Sequence, residues 1–483
     1  MKLRDLLEGV EILQTRGDLD MPVLDITYDS RKVMPGWVFV AVTGFATDGN
    51  LFIEKALQNG AAAIISAKPQ TGDYPYVQVA SDRLALAQIG ANFYGRPGNA
   101  MKLIGITGTN GKTSATLLLK HVIEQTLGAK VGLMGTMENM IGQQRIAAER
   151  TTPESLDLQA LLADMVAGGC QYAIMEVSSH ALALERVAGL HYAVSAFTNL
   201  TEDHLDFHKT MENYCDAKAL LFQRCDWAVV NQDDPWAQRI CQQAVCPVLT
   251  TSNKAQAGLY AKDVQLLSDG VKFTAVYGDQ EAFVQVGIPG KFTVYNVLTV
   301  LGCALGLDID FHSAVKALAT AQGVKGRVEV VPTPGKPYTV LIDYAHTPDG
   351  LENVLSSVRG YCKGRVISVF GCGGDRDPIK RPIMGKIGVA LSDVAVITSD
   401  NPRTEDPNKI IADICQGIDP EKNNYIVIEN RPQAIRYAMD IGENHDIIVL
   451  AGKGHETYQE IHGVKHHLDE REVVAAYLME TRK

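Results

Sequence analysis

Paired cysteine motifs are missing from this chain. Its nine cysteines are scattered, odd in number and without a C-x-x-C pair, which excludes a disulfide frame or a zinc site of that kind and points to a reducing compartment. Long apolar runs are missing too. No stretch approaches the ~18 apolar residues of a membrane span, and the opening MKLRDLLEGVEIL mixes acids among its apolar residues, so it does not read as a signal peptide. Basic blocks are absent as well. Asp and Glu (56) outnumber Lys and Arg (45), giving a net charge of −11, with no basic stripe for a nucleic-acid surface. There is no low-complexity segment and no short-period repeat. What is left, 46% hydrophobic and 21% charged residues over 483 positions, suits a globular protein of about three domains. A cytoplasmic location, no nucleic acid and no membrane insertion are expected.

The stretch LIGITGTNGKT (103–113) stands out. Leu103, Ile104 and Ile106 end a buried strand pattern, Gly105, Gly108 and Gly111 open the backbone, and a long helical pattern starts at Thr113. The spacing G-x-x-x-x-G-K-T is that of a phosphate-binding loop. A triphosphate needs inward backbone N–H groups, a helix N-terminus, one lysine and a hydroxyl for Mg²⁺. Gly108, Thr109, Asn110, Gly111, Lys112 and Thr113 therefore form a candidate ATP and Mg²⁺ site.

Around this loop the pattern is α/β. Residues 1–97 alternate short apolar runs (37–44, 61–66, 76–81) with helical stretches and end at GRPGNAM, a cluster of turn residues. Residues 98–327 alternate strand and helix as a mostly parallel sheet does, with strands at 172–177, 192–200 and 227–235 and helices at 113–127, 154–169, 214–225 and 293–307. Residues 328–483 repeat the alternation, with strands at 338–345, 365–371, 393–400, 425–430 and 446–452. Polar residues gather after these strands' C-terminal ends, where open α/β sheets bind ligands.

Several polar residues are candidates for chemistry. Glu176 closes the strand pattern YAIME, a place that holds Mg²⁺ in phosphate-loop enzymes. In NLTEDHLDFH, His204 is the better candidate for the metal neighbourhood, whereas Asp206 and His208 read as solvated turn residues. Lys218, on the helical run YCDAKALLF, reads on its own as a snorkelling lysine. In the last segment Asp343, His346 and Asp349, Asp375, Arg376, Lys380 and Arg381, Asp400, Asn401 and Arg403, and Lys453, His455 and Glu456 all follow strand ends. GCGG lacks the spacing of a dinucleotide fingerprint. Arginine forks suit carboxylates and acids suit ammonium groups, so this set fits a zwitterion such as an amino acid.

The segments ITGTNGKT, RTTPE, MEVSSHAL, TNLTEDHLDFH, YCDAKALLF, PGKFTVYN, GVKGR, DYAHTPDGLE, FGCGGDRD, SDNPRTEDP and AGKGHE, in this order, resemble the Mur ligases, the ATP-dependent amide-forming enzymes of peptidoglycan synthesis. The resemblance spans the chain, and DNPR is the marker of the diaminopimelate-adding branch. It implies three α/β domains: a small uridine-nucleotide domain, a central phosphate-loop domain and a Rossmann-like C-terminal domain for the amino acid. They would close so that an acyl phosphate is kept from water. A monomer is expected.

The resemblance also implies roles. Lys112 would serve the phosphates, and Thr113, Glu176, His204 and Lys218 the metal sites, with Lys218 carbamylated by CO₂ rather than snorkelling. Asn296, Arg327, Asp343 and His346 would contact ATP. Tyr28 and Ser30, with Phe45-Ala46-Thr47, would lie on the uridine diphosphate of UDP-N-acetylmuramoyl-L-alanyl-D-glutamate, and Thr151, Thr152, Ser178, Leu184 and Arg186 on its muramoyl-peptide. Arg376, Asp400, Asn401, Pro402, Arg403, Gly452 and Glu456 would hold meso-diaminopimelate. Two positions depart from the pattern: Phe45-Ala46-Thr47 stands where some members have His-Gln-Ala, and Leu184 replaces a glutamine. Another ligase of the superfamily, the alanyl-alanine-adding enzyme or a folylpolyglutamate synthetase, conflicts with DNPR and with the segment of Tyr28 and Ser30. An ATP-driven switch without amide chemistry conflicts with Glu176, His204 and Lys218 following one loop.

Overall fold

The computed structural model describes residues 1–44, 47–321 and 323–481. The chain forms two compact units, Met1–Leu259 with Thr299–Ala314, and Tyr260–Leu298 with Val315–Lys483. Among the described residues no helix is long and apolar enough to cross a membrane.

The first unit holds two sheets. In the N-terminal one, Ile12–Arg16, Tyr76–Val79, Ala63–Ser66, Trp37–Val40 and Asp25–Thr27 lie side by side in that order, parallel except for the first. Its inner strands are apolar at successive positions because both faces are covered. Val38, Val40 and Ile65 face Leu86 and Ile89, while Phe39 and Ile64 face Ile53 and Ala56.

The larger sheet runs Val248–Ser252, Cys225–Asn231, Tyr192–Phe197, Lys102–Thr107, Tyr172–Glu176 and Val131–Met134, all parallel. An antiparallel hairpin, Glu138–Ile141 and Gln144–Ala147, extends it. Lys102–Thr107 lies inside this sheet, with Glu176 opposite Ile106 on one side and Phe197 opposite Thr107 on the other. That register brings the segments after all three strands to one edge. The helix Lys112–Leu127 starts from Gly111 (φ +86) and stops at Gly128 (φ +61); only glycine enters that left-handed region at little cost. The helix expected over 214–225 is Met211–Ala219, followed by a tighter 3₁₀ turn over Leu220–Gln223. Cys225 already begins the next strand.

In the second unit, Glu329–Val331, Thr339–Asp343, Ile447–Ala451, Val366–Phe370, Val394–Ile397 and Tyr425–Val427 form a sheet, parallel except for the first strand. Alternate residues face opposite sides. Leu341, Phe370, Ile397 and Val449 join one core, and Ile342, Val369, Val396 and Leu450 the other. A separate hairpin, Tyr458–Ile461 with Val464–His467, follows the last of the inner strands.

Candidate active site

The phosphate loop is tied to the segment after the neighbouring strand. Thr109 N–H donates to the Asn199 carbonyl at 2.8 Å and Asn110 N–H to Asn199 Oδ1 at 2.9 Å. Thr198 Oγ1 donates to the Asn110 carbonyl at 2.7 Å, and Thr201 N–H to Thr109 Oγ1 at 3.0 Å. A Cβ on Gly108 (φ +147) would lie 2.0 Å from Thr198 Oγ1, so this approach requires glycine. Sequence reading missed the part played by Thr198, Asn199 and Thr201. The run TNLT directly after a buried strand was the available signal.

Two lysines meet at one loop oxygen. Lys112 Nζ donates to the Gly108 carbonyl at 2.9 Å and to the Thr109 carbonyl at 2.8 Å, and Lys218 Nζ donates to the same Gly108 carbonyl at 3.0 Å. Lys218 is 1% exposed, with its amine 4.4 Å from the centre of the Tyr214 ring. Burial, and next the charge of Lys112, push its pKa well below the ordinary lysine value. It does not snorkel. A neutral, nucleophilic amine at this position is what a CO₂ adduct requires.

Glu176 anchors a second cluster. Its carboxylate accepts from Thr136 N–H at 3.0 Å and Thr136 Oγ1–H at 2.9 Å, and the side chain is buried. These donors are neutral, so the negative charge stays available to a cation. A Cβ on Gly135 would stand 2.4 Å from Glu176 Oε1. The Thr136 and Thr151 hydroxyls are 3.0 Å apart, Thr152 Oγ1 donates to the Glu176 carbonyl at 2.8 Å, and Ser178 N–H donates to Thr152 Oγ1 at 3.1 Å. Arg186 Nη1 donates to the Thr152 carbonyl at 3.3 Å and its Nε lies 3.3 Å from Glu154. So Thr151, Thr152, Ser178 and Arg186 gather around Glu176, and half-buried Leu184 ends the short helix Ser179–Ala183 that Ser178 caps.

In the N-terminal sheet's loops, the Tyr28 hydroxyl donates to Asp157, and Ser30 is buried with its carbonyl accepting from Asn59 Nδ2 at 2.9 Å. Thr47 is exposed, and Phe45 and Ala46 lie outside the described residues.

His204 sits at φ +54 with Nε2 3.4 Å from Asp203, its ring 4.8 Å from that of His180. His208 differs from the solvated residue expected. It is buried, its Nε2 2.9 Å from Ser179 Oγ and its ring 4.9 Å from Tyr214, because the short helix Leu205–His208 turns it inward. Burial, and then the nearby His180, Lys218 and His204, lower its pKa from 6.5 to about 4. The folded chain thus binds this proton less readily than the unfolded chain. The stabilisation is full above pH 6.5 and is lost as pH falls toward about 4, a loss of up to about 3 kcal/mol. We expect His208→Gln to flatten that acid-side decline in denaturant midpoints measured between about pH 7.5 and about pH 5. Identical pH dependence in both proteins would refute it.

In the second unit several of the amino-acid candidates lie together. Asn401 Nδ2 donates to Glu456 Oε2 at 2.8 Å, while its Oδ1 accepts from Lys453 Nζ at 2.9 Å and from Glu460 N–H at 3.0 Å. Lys453 is fully buried, so a donor-only ammonium fixes which way this amide points. Asp400 Oδ1 accepts from Asn401 N–H at 2.6 Å, and Oδ2 is buried without a hydrogen-bond partner, 3.9 Å from Nη1 of the buried Arg431 guanidinium. A Cβ on Gly452 (φ +117) would stand 2.5 Å from that oxygen. Pro402 is buried, and Arg403 Nη1 donates to the Gly374 carbonyl at 2.6 Å. Arg376 is exposed, donating to the Asp375 carbonyl at 3.1 Å.

The nucleotide candidates of this unit are placed differently. Both Asp343 oxygens accept backbone N–H groups, from Val328 and Ala345, each at 2.8 Å. The carboxylate thus already braces the loop of Arg327, whose guanidinium stacks 5.3 Å from the Tyr344 ring. His346 Nδ1 is 2.9 Å from the Tyr344 carbonyl, and Asn296 is buried on the helix Lys291–Gly306.

Three family models match: Mur ligase family, catalytic domain over residues 23–94; Mur ligase middle domain over 106–304; and Mur ligase, glutamate ligase domain over 326–454. The chain is 47% identical over 461 residues to the UDP-N-acetylmuramoyl-L-alanyl-D-glutamate--2,6-diaminopimelate ligase of Clostridium botulinum, covering 94% of this chain and 95% of that one. It is 46% identical over 487 residues to the ligase of the same name from Caldanaerobacter subterraneus subsp. tengcongensis, covering 100% of both. A solved structure of a UDP-N-acetylmuramoyl-L-alanyl-D-glutamate--2,6-diaminopimelate ligase superposes with a TM-score of 0.76 at 32% identity, covering 100% of this chain and 99% of that one. These matches run from end to end of a chain that carries a phosphate loop and a loop-facing lysine, and they show that the chain belongs to the Mur ligase family.

Proposed function

We propose that the chain spends ATP to join meso-2,6-diaminopimelate to the D-glutamyl side-chain carboxylate of UDP-N-acetylmuramoyl-L-alanyl-D-glutamate, a step of cytoplasmic peptidoglycan precursor synthesis. The observation that carries this reading is the pair of lysines on the Gly108 carbonyl. One belongs to a phosphate loop, and the other is a buried amine beside it whose pKa burial and the Lys112 charge push well below the ordinary lysine value. We divide the chain into 1–97 for the uridine nucleotide, 98–327 for ATP and 328–483 for the amino acid, and read it as a monomer.

The chemistry follows from what the residues can do. A D-Glu carboxylate oxygen takes the γ-phosphoryl group of ATP, and ADP leaves. The amine of diaminopimelate then attacks the carbonyl carbon of this acyl phosphate, loses a proton, and inorganic phosphate departs. Lys112 and the N-terminus of Lys112–Leu127 offset charge on the phosphates. Thr151, Thr152, Ser178 and Arg186 orient the muramoyl-peptide beside Glu176. Asp400 and Glu456 each offer an oxygen to the substrate's ammonium groups, and Arg403 meets the carboxylate that diaminopimelate has and lysine lacks.

Thr113, Glu176, His204 and Lys218 would hold Mg²⁺, which supplies charge neutralisation at the transferring phosphoryl group. Among the described residues no three His, Cys, Asp or Glu side chains gather as a ready metal cage. Mg²⁺ usually needs one or two carboxylates, with phosphates and waters completing the shell, so a buried Glu176 with neutral donors fits. Lys218 would supply the second carboxylate. Its amine adds to the carbon of CO₂, releases one proton and becomes an anionic carbamate.

The test is phosphate release with ATP and the nucleotide-dipeptide, with meso-diaminopimelate or L-lysine as acceptor. Release with diaminopimelate, well above that with lysine, is expected; equal release with either would remove the substrate assignment.

A further inference from the structure

The hairpin Tyr458–Ile461 and Val464–His467 holds Ser399, Asp400, Asn401 and Arg403. Gln459 Nε2 donates to the Asp400 carbonyl at 2.6 Å and lies 3.3 Å from Ser399 Oγ. Glu460 N–H holds Asn401 Oδ1, the Glu460 carbonyl accepts from Arg403 N–H at 3.0 Å, and His462 N–H donates to the Arg403 carbonyl at 2.7 Å. Arg403 has φ +52, a region that an arginine occupies when its surroundings dictate it. Bonds to the hairpin on both sides of its peptide do so here.

The same hairpin delivers a carboxylate to the guanidinium. Glu460 Oε2 lies 3.4 Å from Arg403 Nε, with the two side chains 26% and 21% exposed. Lys465, the cross-strand neighbour of Glu460, directs its ammonium over the Tyr458 ring at 4.2 Å. Among the described residues, Arg403 is thus the basic group paired with the Glu460 carboxylate.

We propose that Glu460 is a specificity-determining residue, a resident counter-ion that shares the Arg403 guanidinium with the second carboxylate of the amino-acid substrate. This rests on the reading that Arg403 receives that carboxylate. Two anions a few ångströms apart on one guanidinium repel each other, which weakens diaminopimelate binding. When the acceptor is lysine, Glu460 keeps Arg403 paired and softens the cost of leaving it bare. Both effects narrow the preference for diaminopimelate. Arg403 sets the direction of the selectivity and Glu460 its size.

Steady-state kinetics of Glu460→Gln tests this, with meso-diaminopimelate and L-lysine as acceptors, in the parent and in an Arg403→Ala background. KM for diaminopimelate is expected to fall roughly three- to tenfold, more at low than at high salt, with KM for ATP unchanged and the diaminopimelate-to-lysine ratio of kcat/KM raised. In the Arg403→Ala background the same substitution should change neither acceptor's KM. A raised KM for diaminopimelate, an unchanged ratio, or the same shift without Arg403 overturns the role of Glu460. A parent chain that joins no diaminopimelate overturns the site reading, and this role with it. A parent that joins it, with Glu460→Gln unaltered, overturns the Glu460 role alone.

Discussion

Lys218→Ala is expected to lower turnover by roughly 10³-fold, the scale of losing one well-placed electrostatic stabiliser, and bicarbonate or short carboxylates are expected to restore part of it. The amine sits on the Gly108 carbonyl beside Lys112, out of solvent, with its pKa depressed first by burial and next by Lys112. A permanent ammonium there would be costly next to another cation. A neutral amine can take up CO₂ and return an anion to a neighbourhood that Lys112 makes positive. Alanine leaves a cavity where an added carboxylate can sit, so rescue separates a missing charge from a damaged fold. Full activity in Lys218→Ala, or a folded variant whose loss no carboxylate relieves, contradicts the carbamate.

Arg403→Ala is expected to lower the ratio of kcat/KM for diaminopimelate over lysine by roughly 10²-fold. With diaminopimelate the variant loses a charge-assisted hydrogen bond, and with lysine it loses a guanidinium whose pairing falls back on Glu460. The two changes move the ratio the same way. The Gly374 carbonyl and the Glu460 carboxylate already aim the guanidinium, so little ordering is left for the substrate to impose. An unchanged ratio would show that selectivity lies elsewhere in the cluster.

Much of the fold was legible because inner parallel strands, covered on both faces, are continuous apolar runs. Lys102–Thr107, Tyr172–Glu176 and Ile447–Ala451 are such strands, and their polar followers mark the site. The hairpin Tyr458–Ile461 and Val464–His467 was not legible, since its residues are half-buried or exposed and carry no apolar alternation. Its role in holding Arg403 appears through backbone bonds, which any residue type can make. Burial of His208 was hidden for a related reason, because a polar run gives no sign of which residue a short helix turns inward. Lys218 read alone as a snorkelling lysine, and only the placement of its helix against the phosphate loop shows why its pKa is pushed down. Asp343, expected at the nucleotide, has both oxygens already engaged by its own loop, a local hydrogen-bonding choice that spacing does not reveal.

On this chemistry a phosphoryl group moves onto the D-glutamyl carboxylate before the amide forms. The direct measurement uses nucleotide-dipeptide whose D-glutamyl side-chain carboxylate carries a heavy oxygen isotope, with mass analysis of the phosphate released during ligation of diaminopimelate. One labelled oxygen per turnover is expected in the inorganic phosphate. Unlabelled phosphate, with amide formed at the normal rate, would contradict it.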